Sequence, residues 1–197
     1  MPSPTDTPLT VVAFAGRRID ADGAKTARFP FANVCAVRTA IGASLERIAP
    51  SLLIASAACG ADLIALEAAA SRGIRMRIVL PFPPERFRAT SVVDRPNPEF
   101  WGRLYDGIIQ GAEQRGDVIV LHLSENDAGA YSAANKAIIG MASASSAAPS
   151  TRRVALIAWD GTPREDEDTT RKFAELAERS GFSVLSISTL DPQPVAW

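Results

Sequence analysis

The sequence has little of the two residue types that most often form cross-links or metal sites. It contains two cysteines, Cys35 and Cys59, and a single histidine, His122. Two cysteines do not make a disulfide framework, and a zinc site with one histidine would have to rely heavily on carboxylates. We therefore expect neither a metal centre nor a bound cofactor.

Long apolar runs and an excess of one charge are also missing. No stretch reaches the roughly 18–20 apolar residues that cross a bilayer, so we expect a soluble, cytoplasmic protein with no membrane partner. Residues 1–8 carry three prolines and no apolar run, and are interpreted as a flexible leader. The formal net charge of -1 gives no general attraction for a phosphate backbone, so nucleic acid is predicted to be an unlikely partner.

What the sequence does contain is an alternation of short β-branched runs with longer helical patterns. This alternation is typical of crossover units around a parallel sheet. We predict a three-layer, Rossmann-like α/β fold with an open, mostly parallel sheet of about six strands and helices on both faces. Residues 9–197 are expected to form one domain, because the part beyond the Ala/Ser-rich segment 143–150 is too small for a separate core. The predicted strands are 9–15, 52–55, 75–80, 117–123, 154–159 and 182–187, and the predicted helices are 31–48, 61–72, 99–115, 131–143 and 168–180, with a short helix and a loop at 86–98.

Ligands of open parallel sheets bind outside the carboxyl ends of the strands, and the first predicted strand ends in Gly16, Arg17 and Arg18. Glycine lets a backbone approach a ligand closely, and a guanidinium can clamp a phosphate. The alternative is a plain turn with solvated arginines. The pattern therefore makes this strand end a candidate phosphate site.

The second candidate is the run of small residues after the strand 52–55. It leaves room for a ligand against bare backbone and leads into a helix N-terminus. Asp62 either caps that helix or accepts hydrogen bonds from a ribose, and Cys59 is more typical of a packed small residue than of a reactive thiol. The candidate binding residues of this segment are Ser56, Ala57, Cys59, Gly60 and Asp62.

The third candidate is the end of the predicted strand 154–159. Asp160, Gly161 and Thr162 follow Trp159 and could form a wall for a base and ribose. Thr169 or Thr170 could cap the next helix or donate to a phosphate, whereas the acidic run 165–168 would repel a polyphosphate or only cap the helix. Pro81, at the end of the third strand, is a further candidate. On the helix 131–143, Tyr131 and Asn135 share one face and could line the pocket or merely pack.

The order of these strand ends resembles the SLOG superfamily, which includes the DprA- and LOG-type Rossmann-like nucleotide-binding proteins. The similarity spans about residues 9 to 190. It rests on Gly16-x-Arg18, on Cys59-Gly60-Ala61-Asp62-Leu63, on Leu80-Pro81-Phe82-Pro83 and on Ala158-Trp159-Asp160-Gly161. The resemblance implies that one pocket is lined by Gly16, Arg18, Gly60, Asp62, Asp160, Gly161 and the Thr169–Thr170 pair.

One departure from the family pattern bears on activity. LOG-type enzymes use a Pro-Gly-Gly-x-Gly-Thr turn with a downstream glutamate, but the matching stretch 160–170 lacks the double glycine and continues with Arg171 and Lys172. This argues against hydrolysis more than against binding. We therefore expect a protein that binds or senses a nucleotide or nucleotide-derived signalling ligand. A homo-oligomer and a separate effector protein are the partners that this function implies.

Two alternatives remain open at the level of sequence. One is a LOG-like hydrolase that cleaves an N-glycosidic or phosphoribosyl bond, with Asp62, Asp160 and Glu85 as the candidate catalytic carboxylates. The other is an interaction domain whose ancestral pocket has degenerated.

Overall fold

The computed structural model describes residues 9–124, 126–146, 150–164 and 168–195. The predicted leader 1–8, residues 147–149 of the Ala/Ser-rich segment and residues 165–167 of the acidic run lie outside these ranges. The described part contains a six-stranded sheet in the order β4-β3-β2-β1-β5-β6, and every neighbouring pair is parallel. The predicted α/β fold is thus confirmed, with a sheet that is parallel throughout. The strands are β1 (Thr10–Gly16), β2 (Leu52–Ala55), β3 (Arg75–Leu80), β4 (Val118–Val120), β5 (Arg152–Trp159) and β6 (Ser183–Ser188).

Helices follow the predicted segments closely, with small differences at their ends. A short 3-10 helix, Phe31–Asn33, leads into the first α-helix, and the helix predicted from residue 86 begins at Pro84. Proline suits a first helical turn because its missing N–H would have no partner there. None of the described helices is long and apolar enough to cross a membrane. The α-helices are α1 (Val34–Ile48), α2 (Ala61–Ala70), α3 (Pro84–Ser91), α4 (Pro98–Glu113), α5 (Ala130–Ala144) and α6 (Thr169–Arg179).

The sheet is covered on both faces, which explains the nearly continuous apolar strands. Val12 and Phe14 of β1 belong to the core cluster that also contains the buried residues of α1, α2 and α4. Val11 and Ala13, on the opposite face, pack in a second cluster with buried residues of α5 and α6. Side chains alternate along a strand, so β1 contributes to both cores.

The fourth strand is shorter than predicted. The sequence indicated a strand over 117–123, but the strand covers only Val118–Val120. Beyond it, the N–H groups of Leu121 and Leu123 still donate to the carbonyl oxygens of Leu80 and Pro81. β4 is the edge strand, and its one neighbour ends at Leu80, just before Pro81. His122 then has φ 52°, a left-handed conformation that cannot continue an extended strand. The prediction failed here because a strand ends where its partner ends, which local sequence does not reveal.

The strand order reverses between β1 and β5. From β1 the chain adds β2, β3 and β4 on one side, whereas β5 and β6 lie on the other. The carboxyl ends of β1 and β5 are neighbours, with Gly16 paired to Ala158. Loops that leave a reversal point diverge and open a crevice, which is where open α/β sheets hold their ligands.

Candidate functional site

A cavity of about 250 Å³ lies at this reversal point. Its wall combines the ends of β1 and β2, the first turn of α2, α3 with the loop that follows it, one face of α5 and the N-terminus of α6. The lining residues are Phe14, Ala15, Gly16, Arg17, Arg18, Ser56, Ala58, Asp62, Phe87, Arg95, Tyr131, Ala134, Asn135, Ile138, Arg164, Thr169 and Thr170.

The structure brings only part of the predicted site to this wall. Glu85 lies in a separate groove beside Tyr105 and Asp106, so it does not share the cavity with Asp62. The predicted residues on the wall are Gly16, Arg17, Arg18, Ser56, Asp62, Thr169 and Thr170. Those outside it are Ala57, Cys59, Gly60, Pro81, Asp160, Gly161 and Thr162.

Close packing of β1 against α2 sets the shape of one side of the cavity. A Cβ atom added to Gly16 would stand 2.4 Å from the Cβ of Ala61 and 2.8 Å from the carbonyl oxygen of Ala158. Gly60 has φ 102° and lies against the backbone of Arg17 and Arg18. Glycine and alanine at these positions therefore allow the turn 56–60 to lie directly on the end of β1.

Arg17 is held in a buried ion-pair network. Its Nε donates to Asp160 at 2.7 Å, and its two terminal nitrogens donate to Asp168 at 2.9 and 2.7 Å. Its guanidinium also donates to the carbonyl oxygen of Thr162 and lies 5.6 Å from the centre of the Trp159 ring. With these partners satisfied, Arg17 anchors the loop after β5 and the start of α6. Its predicted role as a phosphate clamp is therefore replaced by a structural one.

In both carboxylates of this network, each oxygen accepts at least one hydrogen bond. The second oxygen of Asp160 accepts a hydrogen bond from Arg28 at 2.8 Å. Asp168 caps α6, because its carboxylate accepts from the N–H groups of Thr170 and Arg171. Burial opposes its ionisation, but the hydrogen bonds from Arg17 and from backbone N–H groups outweigh it and lower the pKa of Asp168 to about 2. Asp160 and Asp168 are thus structural anions.

Three other arginines on the wall have unsatisfied donors or no ion-pair partner. Arg18 pairs with the half-exposed Asp94, yet its Nε has no hydrogen-bond partner among the described residues. Nε of Arg95 also lacks a hydrogen-bond partner among these residues, although it lies 3.8 Å from Oδ2 of Asp94 in an ion pair. Arg164 forms no ion pair within the described ranges, and partial burial together with the charges of Arg17 and Arg28 lowers its pKa. Among the described residues that line the cavity, four are arginines and one, Asp62, is acidic.

Asp62 is the acid of this cavity. It lies buried in the first turn of α2, where its Oδ2 accepts from the N–H of Ala58 at 3.3 Å. Its Oδ1 has no hydrogen-bond partner in the part of the chain that the structure describes. Burial raises the pKa of Asp62 to about 7, although the N–H groups of Ala58 and Gly16 and the Arg18 charge act in the opposite direction. A carboxyl group that titrates near neutrality inside a pocket is a common feature of functional sites.

The face of α5 that borders the cavity carries Tyr131, Ala134, Asn135 and Ile138. Asn135 Nδ2 donates to the carbonyl oxygen of Thr169 at 3.0 Å, which fixes the amide between α5 and α6. The hydroxyl groups of Tyr131 and Ser91 lie 2.9 Å apart and hydrogen bond. The sequence had indicated that Tyr131 and Asn135 share a face, and the structure places both on the wall.

Cys59 is packed beside the site. Its thiol is fully buried, accepts a hydrogen bond from Arg18 at 3.6 Å and has a pKa that burial raises. A buried thiol with a raised pKa is a poor nucleophile. The packed interpretation of this residue therefore fits its surroundings.

Arg95, Arg164 and Phe87 are among the wall residues that sequence reasoning missed, as are Phe14, Ala15, Ala58, Ala134 and Ile138. Arg95 falls in a segment with weak periodicity, and Arg164 in a loop where the neighbouring carboxylates dominate the pattern. Neither belongs to a motif of fixed spacing. Only the convergence of α3, its following loop and α6 on one cavity identifies them.

No family model matches the chain, and no curated protein matches it. Solved structures do resemble it. DNA processing protein A (DprA) from Streptococcus pneumoniae superposes with a TM-score of 0.53 at 18% identity, over 91% of this chain and 50% of that protein. DprA from Helicobacter pylori, whose structure describes a single-stranded DNA binding mode, gives a TM-score of 0.53 at 18% identity over 96% and 70% of the two chains. The chain thus spans about half the length of the Streptococcus protein.

These likenesses correct one prediction and support another in part. The prediction that nucleic acid is an unlikely partner is wrong as argued, because a protein with this fold binds single-stranded DNA. Net charge summed over a whole chain does not describe one cavity with several arginines in its wall. These likenesses show the fold alone, and the predicted resemblance to the SLOG superfamily stays a prediction. This chain has a Rossmann-like α/β fold that is distantly similar to DprA.

Proposed function

We propose that this protein binds a single nucleotide or nucleotide-derived ligand in the cavity at the reversal point. The observation that carries the proposal is the pair of buried, unpartnered polar atoms on one wall, Arg18 Nε and Asp62 Oδ1. A buried donor or acceptor without a partner costs about 1–3 kcal/mol, and a ligand that supplies both partners recovers that free energy.

The anionic part of the ligand would lie toward α6. Arg164 has no ion-pair partner in the described ranges and borders the cavity together with Thr169 and Thr170 at the helix N-terminus. Asp168 and Asp160 act on Arg164 without a direct ion pair, and a guanidinium not held in an ion pair, next to hydroxyl groups, is well suited to a phosphate. Arg17 contributes only by holding this loop in place.

The sugar would lie toward α2. Asp62 can accept hydrogen bonds from ribose hydroxyl groups, and Arg18 Nε can donate to a hydroxyl or ring oxygen. The volume of about 250 Å³ is close to the lower end of ligand pockets, which begin at about 300 Å³. The cavity therefore suits one nucleotide unit better than a dinucleotide.

A second function, hydrolysis of an N-glycosidic or phosphoribosyl bond, is favoured by one observation. Asp62, with its pKa raised to about 7, is a candidate acid or base inside the cavity. Asp160 does not support it, because Arg17 and Arg28 occupy both of its oxygens. Glu85 does not either, because it lies in another groove.

The experiment is a thermal-shift screen of the full chain with nucleoside mono-, di- and triphosphates, cyclic nucleotides, adenosine-diphosphoribose and a short oligothymidylate, followed by chromatography of each mixture. A ligand that binds only the folded state raises the melting temperature by mass action. We expect a shift with at least one nucleotide, strongly reduced in Arg164→Gln. The control is Arg103→Gln, which changes an exposed arginine of α4 outside the cavity.

Each outcome separates the candidates. A shift with the ligand recovered intact supports binding. A released base supports hydrolysis, and Asp62→Asn is then expected to stop turnover. A shift with the oligothymidylate alone indicates that the ligand is single-stranded DNA, for which the Helicobacter DprA structure describes a binding mode. No shift with any compound, or equal losses in both arginine variants, overturns the proposal.

A further inference from the structure

Among the described residues, Tyr131 is the one exposed large hydrophobic side chain that borders the cavity. Among the described residues, the exposed large hydrophobic side chains are Leu9, Phe31, Tyr131 and Leu190, and only Tyr131 belongs to the wall. Its side chain is 41% exposed although it stands in the first turn of a helix that packs on the sheet. Leaving an aromatic surface uncovered forgoes hydrophobic stabilisation, so its placement at a cavity calls for an explanation.

The Tyr131 ring is held in one orientation. Its hydroxyl group hydrogen bonds with Ser91, a fully buried residue at the end of α3, at 2.9 Å. Phe82 packs against it with ring centres 5.9 Å apart and ring planes at 86°. A perpendicular contact covers at most one face of the tyrosine ring, so a flat surface of fixed orientation remains uncovered.

The same helix face supplies the other surfaces that a base needs. Ala134 and Ile138, one and two turns further along, line the cavity with apolar groups. Asn135 donates its Nδ2 to Thr169, and its Oδ1 accepts no hydrogen bond from the described residues. That oxygen is therefore a positioned acceptor for an amino or imino group of a base.

We propose that Tyr131 is the platform on which the base of the bound nucleotide stacks, with Asn135 at the base edge. This inference rests on the proposed function, since it names the part of the ligand that the α5 side of that cavity recognises. The phosphate then lies at Arg164 and the base over Tyr131, near Ser91 and Phe82. Asn135 lies between them, because its Nδ2 donates to Thr169 beside the phosphate. Stacking tolerates any base, so the platform serves a free nucleotide and a nucleotide of a single strand alike.

The test compares binding of the four nucleoside 5′-monophosphates and of ribose 5-phosphate, which has no base, by calorimetry with the full chain. Base stacking on an aromatic side chain is worth about 1–3 kcal/mol, so Tyr131→Leu is expected to weaken nucleotide binding roughly 5- to 150-fold. Its affinity for ribose 5-phosphate stays within about twofold of wild type, because the phosphate side is untouched. Tyr131→Phe keeps the ring and retains most of the affinity, although it loses the hydrogen bond with Ser91.

The matched control is Phe31→Leu, which removes an equally exposed aromatic ring (42%) that packs on Phe100 and Trp101 outside the cavity wall. It is expected to bind every nucleotide as the wild type does. If the wild type binds nucleotides but Tyr131→Leu binds them equally well, or loses ribose 5-phosphate to the same extent, the platform is refuted while the proposed function stands. If the wild type binds no nucleotide, the Tyr131 platform and the proposed function are both refuted.

Discussion

At the scale of single residues, two adjacent arginines at the end of β1 have different roles because of their partners. Arg17 is 4% exposed and is neutralised by Asp160 and Asp168. Arg18 pairs with a half-exposed carboxylate and keeps one buried donor without a partner. Identical side chains one position apart therefore serve the fold in one case and are available to a ligand in the other.

The Arg17 network yields a stability prediction. Arg17→Met leaves Asp160 and Asp168 buried without their main partner, and breaking a buried ion pair costs about 3–5 kcal/mol. Denaturant unfolding of the variant measures the loss. The control, Arg88→Met, removes a solvent-exposed pair with Asp106, which is worth less than about 1 kcal/mol. Equal losses in the two variants would contradict the structural role of Arg17.

Asp62 yields a pH prediction. Its pKa rises from 3.8 in the unfolded chain to about 7 in the fold, so between these values the folded state binds a proton that the unfolded state releases. The free energy of unfolding contributed by this group therefore falls as pH rises from about 4 to 7, by up to about 1.4 kcal/mol per pH unit, and is constant above 7.

The check is the unfolding free energy of wild type and Asp62→Asn measured across this range. The asparagine keeps the shape and an acceptor for Ala58 but cannot titrate, so the advantage of the variant is expected to grow from pH 4 to 7 and then to level off. A difference that does not change with pH would show that Asp62 titrates normally in the fold.

At the scale of elements, the site depends on how closely α2 approaches the end of β1. The chain places Gly16 and Ala61 opposite one another, and a Cβ atom at Gly16 would stand 2.4 Å from the Cβ of Ala61. α5 and α6 close the other side and are joined by the hydrogen bond from Asn135 to Thr169. The cavity lies between these two pairs of elements, β1 with α2 and α5 with α6.

Gly16→Ala tests this approach. The added methyl group meets Ala61 at 2.4 Å and the Ala158 carbonyl at 2.8 Å, so α2 must move, and overpacking of this kind costs about 1–3 kcal/mol. We expect a lower melting temperature and weaker nucleotide binding. Gly107→Ala is the control, since this exposed glycine within α4 has no atom within 4 Å of an added Cβ. Higher helix propensity is expected to stabilise that variant by up to about 1 kcal/mol. A Gly16→Ala protein as stable as wild type would mean that α2 does not lie this close.

At the scale of the whole molecule, charge is nearly balanced but unevenly placed. The net charge is -1, while the arginines around one cavity outnumber the carboxylates that neutralise them. A molecule of this kind attracts an anion at one place and not along its surface. A net charge near zero therefore does not by itself exclude an anionic ligand at the cavity.

Salt dependence distinguishes one nucleotide unit from an extended strand. If a single-stranded oligothymidylate binds only through this cavity, one or two phosphates are neutralised, and the logarithm of the binding constant falls with the logarithm of salt with a slope of roughly -0.7 to -1.4. Fluorescence anisotropy over a salt series measures this slope. A much steeper slope would indicate a track of basic residues beyond the cavity and would contradict the single-unit model.

The sequence by itself determined the fold class and where ligand-binding residues could stand. Apolar runs with glycine or proline at their ends fixed the strands, and helical periodicity fixed the helices, because both signals are local. The carboxyl ends of parallel strands face one edge of a sheet, so Gly16, Asp62 and Thr170 could be nominated without coordinates, and the structure places them on one wall.

Only the tertiary structure decided which residues form ion pairs within the protein and which remain available to a ligand. From the sequence, Arg17 and Asp160 were equally plausible ligand contacts. In the structure they form an ion pair with each other at 2.7 Å, although they are 143 residues apart in the chain. Arg95 and Arg164 carried no pattern, and the length of β4 depended on where β3 ends. Ion pairing, burial and strand length at a sheet edge are set by partners distant in the chain, and no local spacing encodes them.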